Sequence, residues 1–197
     1  MICPRIVRQC LTLCVVGLVV TSLVSPAVAL WRSVDDNGFA VDIEAPGLSP
    51  QTRRDSPRID DILNAKSIRS CWGTPGTGTA SACITYQAIL SAIGKFPYLR
   101  ATNVATNSEP LRSIAKQVAK TNQTVATANA EFEVARFTTF SGNFQQDCFS
   151  LARYWDARRK RIIGWYCAET NVTLDDAATR DIIATITSGP SSFSPGV

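Results

Sequence analysis

The amino-acid sequence predicts an α+β fold, in which an antiparallel sheet of about five strands carries packed helices and is held by two local disulfide bonds. Three observations lead to this prediction: stretches in which apolar and polar residues alternate, apolar stripes at helical spacing, and cysteines in two close pairs. Residues 30–188 are expected to form one domain, because a chain of this length suits a single hydrophobic core.

Residues 1–29 are typical of an export signal. Arg5 and Arg8 give a positive start, residues 11–23 are apolar, and Ala27 and Ala29 form the small-residue cleavage motif. The apolar run is short for a membrane span, so we expect cleavage after Ala29, with an uncleaved anchor as the alternative. The sequence therefore predicts a periplasmic or secreted protein without a stable transmembrane segment.

Charge and composition restrict the possible functions. The chain has 20 Lys and Arg against 16 Asp and Glu, and two of the basic residues lie in the leader. The mature chain is thus nearly neutral, which gives no support for nucleic acid as a partner. The sequence contains no histidine, which excludes Ser-His-Asp and Cys-His catalysis. No cofactor and no catalytic residue is predicted.

The cysteines predict disulfide bonds. Cleavage of the leader removes three of the 7 cysteines and leaves Cys71, Cys83, Cys148 and Cys167. An even number in an exported chain indicates two bridges, and we favour Cys71–Cys83 and Cys148–Cys167 because both are local. The alternative is a zinc site. The sequence lacks both a C-x-x-C pair and histidine, so no metal site is predicted.

Residues 145–155 and 162–168 are predicted to form an antiparallel hairpin around a turn at 156–161. A register that places Cys148 opposite Cys167 also places Leu151 opposite Gly164. Opposed Cα atoms in such a ladder are about 4.5–5.5 Å apart, which a disulfide spans. Both faces of this hairpin are apolar, so we expect it to be central in the sheet and covered on both sides.

Other segments are assigned from their periodicity and turn signals. Strands are predicted at 31–34 and 39–43, paired as a first hairpin, and at 131–140. Helices are predicted at 57–66, at 83–93 with a strand at 84–90 as the alternative, at 110–118, and from a Thr173 cap to Ile186. Residues 121–130 are expected to form a loop, and residues 189–197 a disordered tail.

The densest charge run is a candidate contact surface. It comprises Arg158, Arg159, Lys160 and Arg161, with Arg153 nearby. Such a turn could bind an anion or an acidic partner, or it could simply keep an exposed hairpin end soluble. Trp72 and Trp155 are candidates for exposed aromatic contacts.

Two further patterns have a chemical interpretation and a structural one. The Gly- and Thr-rich loop at 73–79 could hold a phosphate, but it lacks the Gly-Lys-Ser/Thr end of a P-loop, and a loop closed by a disulfide is favoured. Adjacent acids at 35–36, 60–61 and 175–176 could supply a pair of catalytic carboxylates. Turns and helix starts already explain these acids.

The C-terminal segment also shows a resemblance. Asp147-Cys148-Phe149, Tyr154-Trp155-Asp156 and Gly164-Trp165-Tyr166-Cys167-Ala168, followed by a helix, resemble small exported proteins of unknown function from Gram-negative bacteria. This resemblance implies a periplasmic location and no particular activity, and it points to no characterised family.

Together these observations predict a non-catalytic periplasmic or secreted binding or envelope-interaction protein. Its partner would be an unknown protein or an anionic envelope component that contacts the basic turn. The alternative is a carboxylate-dependent hydrolase acting on an envelope polymer. A third interpretation, a structural stabiliser of an envelope assembly, predicts an exposed apolar patch of a few hundred Å².

Overall fold

The structure is a computed structural model that describes residues 31–33, 41–60 and 64–188. Within these residues the chain forms a main sheet of nine strands, a second sheet of two strands, and two α-helices. The predicted α+β fold with about five strands is therefore wrong, because the described chain is mostly β-sheet. The predicted leader and the predicted tail lie outside the described residues.

The strands and helices have the following bounds in chain order. The strands are β1 (Trp31–Ser33), β2 (Val41–Asp42), β3 (Arg54–Asp60), β4 (Ala65–Trp72), β5 (Ser81–Ile89), β6 (Ala115–Lys116), β7 (Gln123–Ala126), β8 (Glu131–Ser141), β9 (Phe144–Trp155), β10 (Lys160–Cys167) and β11 (Thr187–Ser188). The helices are α1 (Ala101–Asn107) and α2 (Asp176–Ala184), and a 3₁₀ turn spans Pro50–Thr52.

The main sheet is antiparallel throughout, with the order β1-β3-β4-β5-β10-β9-β8-β6, and β7 also pairs with β8. β2 and β11 form the small sheet. The C-terminal hairpin of β9 and β10 thus lies in the middle of the main sheet, as predicted.

The predicted register of this hairpin is confirmed. Cys148 lies opposite Cys167 and Leu151 opposite Gly164, and the Cys148–Cys167 disulfide joins Cα atoms 4.1 Å apart. The second predicted disulfide, Cys71–Cys83, is confirmed as well, with Cα atoms 4.0 Å apart. It too connects directly opposed residues, on β4 and β5. Each bridge therefore locks one pair of neighbouring strands.

The central hairpin is covered on both faces, as predicted. On the first face Phe149, Leu151, Ile162 and Tyr166 pack with buried residues of α2 and of the segment at 41–43. On the second face Cys148, Trp165 and Cys167 pack with Ala105 of α1 and with Leu111. The two faces thus form two separate apolar clusters, one on each side of the sheet.

Two helices predicted in the N-terminal half are strands. Residues 57–60 belong to β3 and residues 65–66 to β4, and residues 83–89 belong to β5. The strand alternative for 84–90 is correct. β5 is buried along its whole length. A strand covered on both faces has few polar residues, so its sequence also fits a helical stripe.

Four other assignments also need correction. The helix predicted at 110–118 is wrong, because residues 109–114 form turns. The helix of this region is α1, which ends at Asn107. The predicted loop at 121–130 contains β7. β1 pairs with β3 and β2 with β11, so the described parts of the first hairpin pair elsewhere. The last helix is capped by Asp175, whose side chain accepts a hydrogen bond from the Ala178 N–H at 2.7 Å, and not by Thr173. The strand at 131–140 is confirmed as β8.

We expect that replacing both Cys148 and Cys167 with alanine will lower the free energy of unfolding by about 3 kcal/mol, because the closed loop no longer limits the unfolded chain. Urea denaturation followed by tryptophan fluorescence measures this change. The matched variant removes Cys71 and Cys83. Its bridge closes a shorter loop, a sequence separation of 12 against 19, so we expect a smaller loss. Equal stability of the first variant and the wild type would contradict the expectation.

Candidate functional site

The basic turn between β9 and β10 is partly neutralised by its own acid. The Asp156 carboxylate lies 2.8 Å from the Arg159 guanidinium and 3.6 Å from Lys160 Nζ. The hydrogen bond from Arg159 holds the pKa of Asp156 below its usual value. The side chain of Arg158 is exposed and has no hydrogen bond or ion pair with any described residue. Arg158 is thus the available cation of this run.

Arg161 and Arg153 have structural contacts on opposite faces of the sheet. The Arg161 guanidinium lies 4.3 Å from the centre of the Phe96 ring and donates a 2.6 Å hydrogen bond to Gln87 Oε1. Burial lowers the pKa of Arg161. The Arg153 guanidinium lies 4.8 Å from the Trp155 ring. These cations stabilise the sheet through cation–π contacts.

The two tryptophans predicted as exposed contacts do not lie together. Trp72 is 3% exposed and belongs to the core of the first face. It pairs with Ala82, at the end of the sheet away from the basic turn. Trp155 is half-buried, and its ring centre is 5.7 Å from that of Tyr86. The structure therefore does not bring Trp72 to the predicted contact surface.

These contacts predict different effects for two arginines of the same turn. Arg161→Ser should lower the free energy of unfolding by about 1–2 kcal/mol, because it removes a stacked, hydrogen-bonded cation. The matched control Arg158→Ser should change it by less than about 0.5 kcal/mol. Chemical denaturation measures both. A similar loss for the two variants would contradict the structural role of Arg161.

A cleft lies on the second face of the main sheet. α1 is seven residues long and packs over β8, β9 and β10. Over β3, β4 and β5 the second face carries polar side chains, including Arg69 and Thr85. The resulting cleft has a volume of about 440 Å³, within the range of about 300–1,000 Å³ that is typical of small-molecule sites.

The register of the sheet explains which residues form the floor of the cleft. Arg54, Cys71, Cys83 and Trp165 are successive opposed residues on β3, β4, β5 and β10. Opposed residues point to the same face of a sheet, so these four side chains form one row. The neighbouring row contains Arg69, Thr85 and Ile163 in the same way. The Cys71–Cys83 disulfide thus lies in the floor of the cleft, between Arg54 and Trp165.

One wall of the cleft is the segment at 99–110, which includes α1. The Ala101 N–H donates a 3.1 Å hydrogen bond to Glu133 Oε1, and Ser150 Oγ donates a 2.7 Å bond to the Ala101 carbonyl. The Leu99 N–H donates to Tyr154 Oη at 2.8 Å. These bonds to β8 and β9 fix the position of α1, although it is short.

A second wall is the Gly- and Thr-rich loop, whose residues 73–75 line the cleft. Buried Gln146 holds this loop: its Oε1 accepts from the Gly76 N–H at 2.9 Å, and its Nε2 donates to the Thr79 carbonyl at 2.9 Å. The same Nε2 donates to the Ala168 carbonyl at 2.6 Å. Because Gly76 already uses its N–H in this way, the loop has one less donor for a phosphate.

The cleft is mostly apolar but has charged groups at one side. Apolar contacts come from Leu99, Val104, Pro110, Ile163 and Trp165. Arg54 and Arg69 provide positive charge, and Glu109 is the one carboxylate among the described residues that line the cleft. Burial lowers the pKa of Arg69, and repulsion from Arg58 lowers it further. The arrangement can hold an apolar group beside an anionic group.

The residues of this cleft were not predicted from the sequence, although a short pattern indicates some of them. Polar Ser67 and Arg69 flank apolar Ile68, so polar and apolar residues alternate at 67–69. Period-two alternation of polar residues is typical of a strand with one solvated face. Because residues 57–66 were predicted to form a helix, this pattern was not interpreted as part of a strand.

Comparison with known proteins adds no functional information. No family model matches the chain, and neither a curated protein nor a solved structure matches it significantly. The prediction that the chain resembles no characterised family is confirmed. No helix in the described part of the chain is long and apolar enough to cross a membrane. In residues 31–33, 41–60 and 64–188, no three metal-ligating side chains lie together.

The role of Gln146 can be tested with a substitution of similar size. Gln146→Leu should lower the free energy of unfolding by about 2–4 kcal/mol, because it removes the partner of backbone groups of Gly76, Thr79 and Ala168, and the bonds to Gly76 and Ala168 are buried. Thermal unfolding followed by circular dichroism measures this change. The control is Gln145→Leu, since Gln145 is the exposed neighbour on β9. Equal melting temperatures for the two variants would show that the loop does not depend on Gln146.

Proposed function

We propose that this protein is a non-catalytic binding protein of the periplasm or the extracellular space, which takes up a small, largely apolar ligand in the cleft between its sheet and α1. The observation that carries the proposal is the cleft itself, with a volume of about 440 Å³ and a lining that includes residues of α1 and of the Gly- and Thr-rich loop. Binding sites for small molecules are concave and mostly apolar, with a few polar groups that orient the ligand.

The support of the two walls favours a preformed site. Glu133 and Ser150 hold α1, and Gln146 holds the Gly- and Thr-rich loop. The floor is a sheet that the Cys71–Cys83 disulfide crosses. A site on such rigid elements binds with less loss of conformational entropy than one that must first become ordered.

The proposed location rests on two features. Residues 1–29 have the pattern of an export signal, and the chain contains two disulfide bonds. Disulfide bonds persist in oxidising compartments and are rare in the cytosol. In this proposal exposed Arg158 provides a further contact for a protein partner or an anionic envelope component.

The experiment measures binding of phenylnaphthylamine, an uncharged apolar dye whose fluorescence rises when it leaves water. The full chain, with both disulfide bonds formed, should bind it saturably. Asn103→Trp places a large side chain at the mouth of the cleft and should weaken binding about ten-fold or more, equivalent to about 1.4 kcal/mol. The control Thr106→Trp lies on the same helix at a residue that does not line the cleft.

Two results would count against the proposal. Absence of saturable binding by the wild type would show that the cleft does not accept an apolar ligand. Equal affinity of the Asn103 and Thr106 variants would show that the dye binds elsewhere. Circular dichroism spectra of both variants should match that of the wild type, so that a change in affinity reports on the cleft.

A further inference from the structure

We infer that the cleft is specific for a small amphipathic anion, whose apolar part lies against Leu99 and Ile163 and whose single carboxylate, sulfonate or phosphate group lies between Arg54 and Arg69. This inference rests on the proposed function and adds to it the chemical class of the ligand. The sheet register, the charges around the cleft and its apolar wall support it in turn.

The register brings arginines of two strands close together. Arg54 lies opposite Cys71 and Arg58 opposite Ser67 on β4, and Arg69 lies between Cys71 and Ser67. Arg69 is thus the diagonal neighbour of both arginines of β3. Such neighbours have Cα atoms about 7–8 Å apart, within reach of long side chains. An anionic group between two guanidinium groups can accept hydrogen bonds from both.

The charges around the cleft do not fully neutralise the positive charge of Arg54 and Arg69. Arg54 donates a 3.2 Å hydrogen bond to the Gly73 carbonyl, which is an uncharged acceptor. The nearby carboxylate that acts on Arg69 is Glu109, and Arg58 repels Arg69 from the other side. The described lining of the cleft thus contains two guanidinium groups and one carboxylate. A bound anion would offset the repulsion that Arg58 exerts on Arg69.

A free inorganic anion would contact the charged groups of the cleft but would leave its apolar wall uncovered. Leu99 and Ile163, which line the cleft, are partly exposed, and Pro110, which also lines it, is exposed. A ligand that filled only the charged side would leave this apolar surface in contact with water. A ligand with an aromatic ring or a short alkyl chain covers this surface and gains the corresponding hydrophobic free energy.

The test compares two dyes that share one apolar skeleton and differ in charge. Anilinonaphthalene sulfonate carries a sulfonate group, whereas phenylnaphthylamine is neutral. The full chain, with both disulfide bonds formed, should bind the sulfonate about ten-fold more tightly, because charge-assisted hydrogen bonds add to the apolar contact. Arg69→Gln and Arg54→Gln should each reduce this preference and leave binding of the neutral dye unchanged. The control Arg180→Gln removes an exposed arginine of α2, on the other face, and should preserve it.

The two dyes separate failure of this inference from failure of the proposed function. Binding of the neutral dye without preference for the sulfonate overturns the inference and leaves the proposed function intact. Absence of binding by both dyes overturns both. A preference for the sulfonate that persists in Arg69→Gln and Arg54→Gln also overturns the inference, because the anionic group would then lie elsewhere.

Competition identifies the class of ligand. Decanoate, which joins an alkyl chain to a carboxylate, should displace the sulfonate dye, whereas inorganic phosphate at the same concentration and ionic strength should not. Displacement by phosphate as effective as that by decanoate would show that the site binds a free oxyanion, and would overturn the amphipathic assignment. Displacement by decanol as effective as that by decanoate would show that charge contributes nothing, and would overturn the anionic assignment.

Discussion

The structure depends on the ladder between β9 and β10, which the Cys148–Cys167 disulfide locks in one register. A shift by one residue would move every side chain of this hairpin to the other face of the sheet. Both faces here are apolar and buried, so such a shift would disrupt two cores at once. Arg136 of β8 extends this arrangement to α2, since its guanidinium donates to Asp176 Oδ1 at 2.7 Å and to Thr179 Oγ1 at 3.0 Å.

The ladder also determines which face of the sheet each side chain of β3, β4 and β5 occupies. This arrangement creates the cleft. Because Trp165 lies opposite Cys83, and Cys83 opposite Cys71, the second face continues without interruption to Arg54 on β3. On the first face buried residues such as Ile68 of β4 and Ile84 of β5 pack with α2 and the segment at 41–43. On the second face α1 packs mainly over β8, β9 and β10. Polar residues therefore occupy the uncovered rows of β3 and β4.

The sequence allowed prediction of the parts that depend on local pattern, and the cleft is not one of them. The C-terminal hairpin was predictable because two cysteines, two alternating arms and a polar turn agree on one register. Residues 57–66 were misassigned because Pro57 is a common first residue of a helix and because Ile59, Ile62 and Leu63 have helical spacing. The hairpin of β3 and β4 instead closes through a turn that includes Asn64, at a φ of 44°. The pairing of β5 with β10 joins segments far apart in sequence, and no local pattern indicates it.

The contrast between the basic turn and the cleft shows why charge density in the sequence did not identify the candidate site. In the turn, Asp156 is three residues from Arg159 and four from Lys160, so the acid that neutralises them is part of the same local structure. In the cleft, Arg54 and Arg69 are separated in the sequence, and strand pairing brings them together beside a buried tryptophan. Within the described residues neither Arg54 nor Arg69 forms an ion pair, whereas Arg159 and Lys160 both pair with Asp156. In the proposed site an anion therefore meets two cations without a bonded counterion, while at the turn it would compete with Asp156.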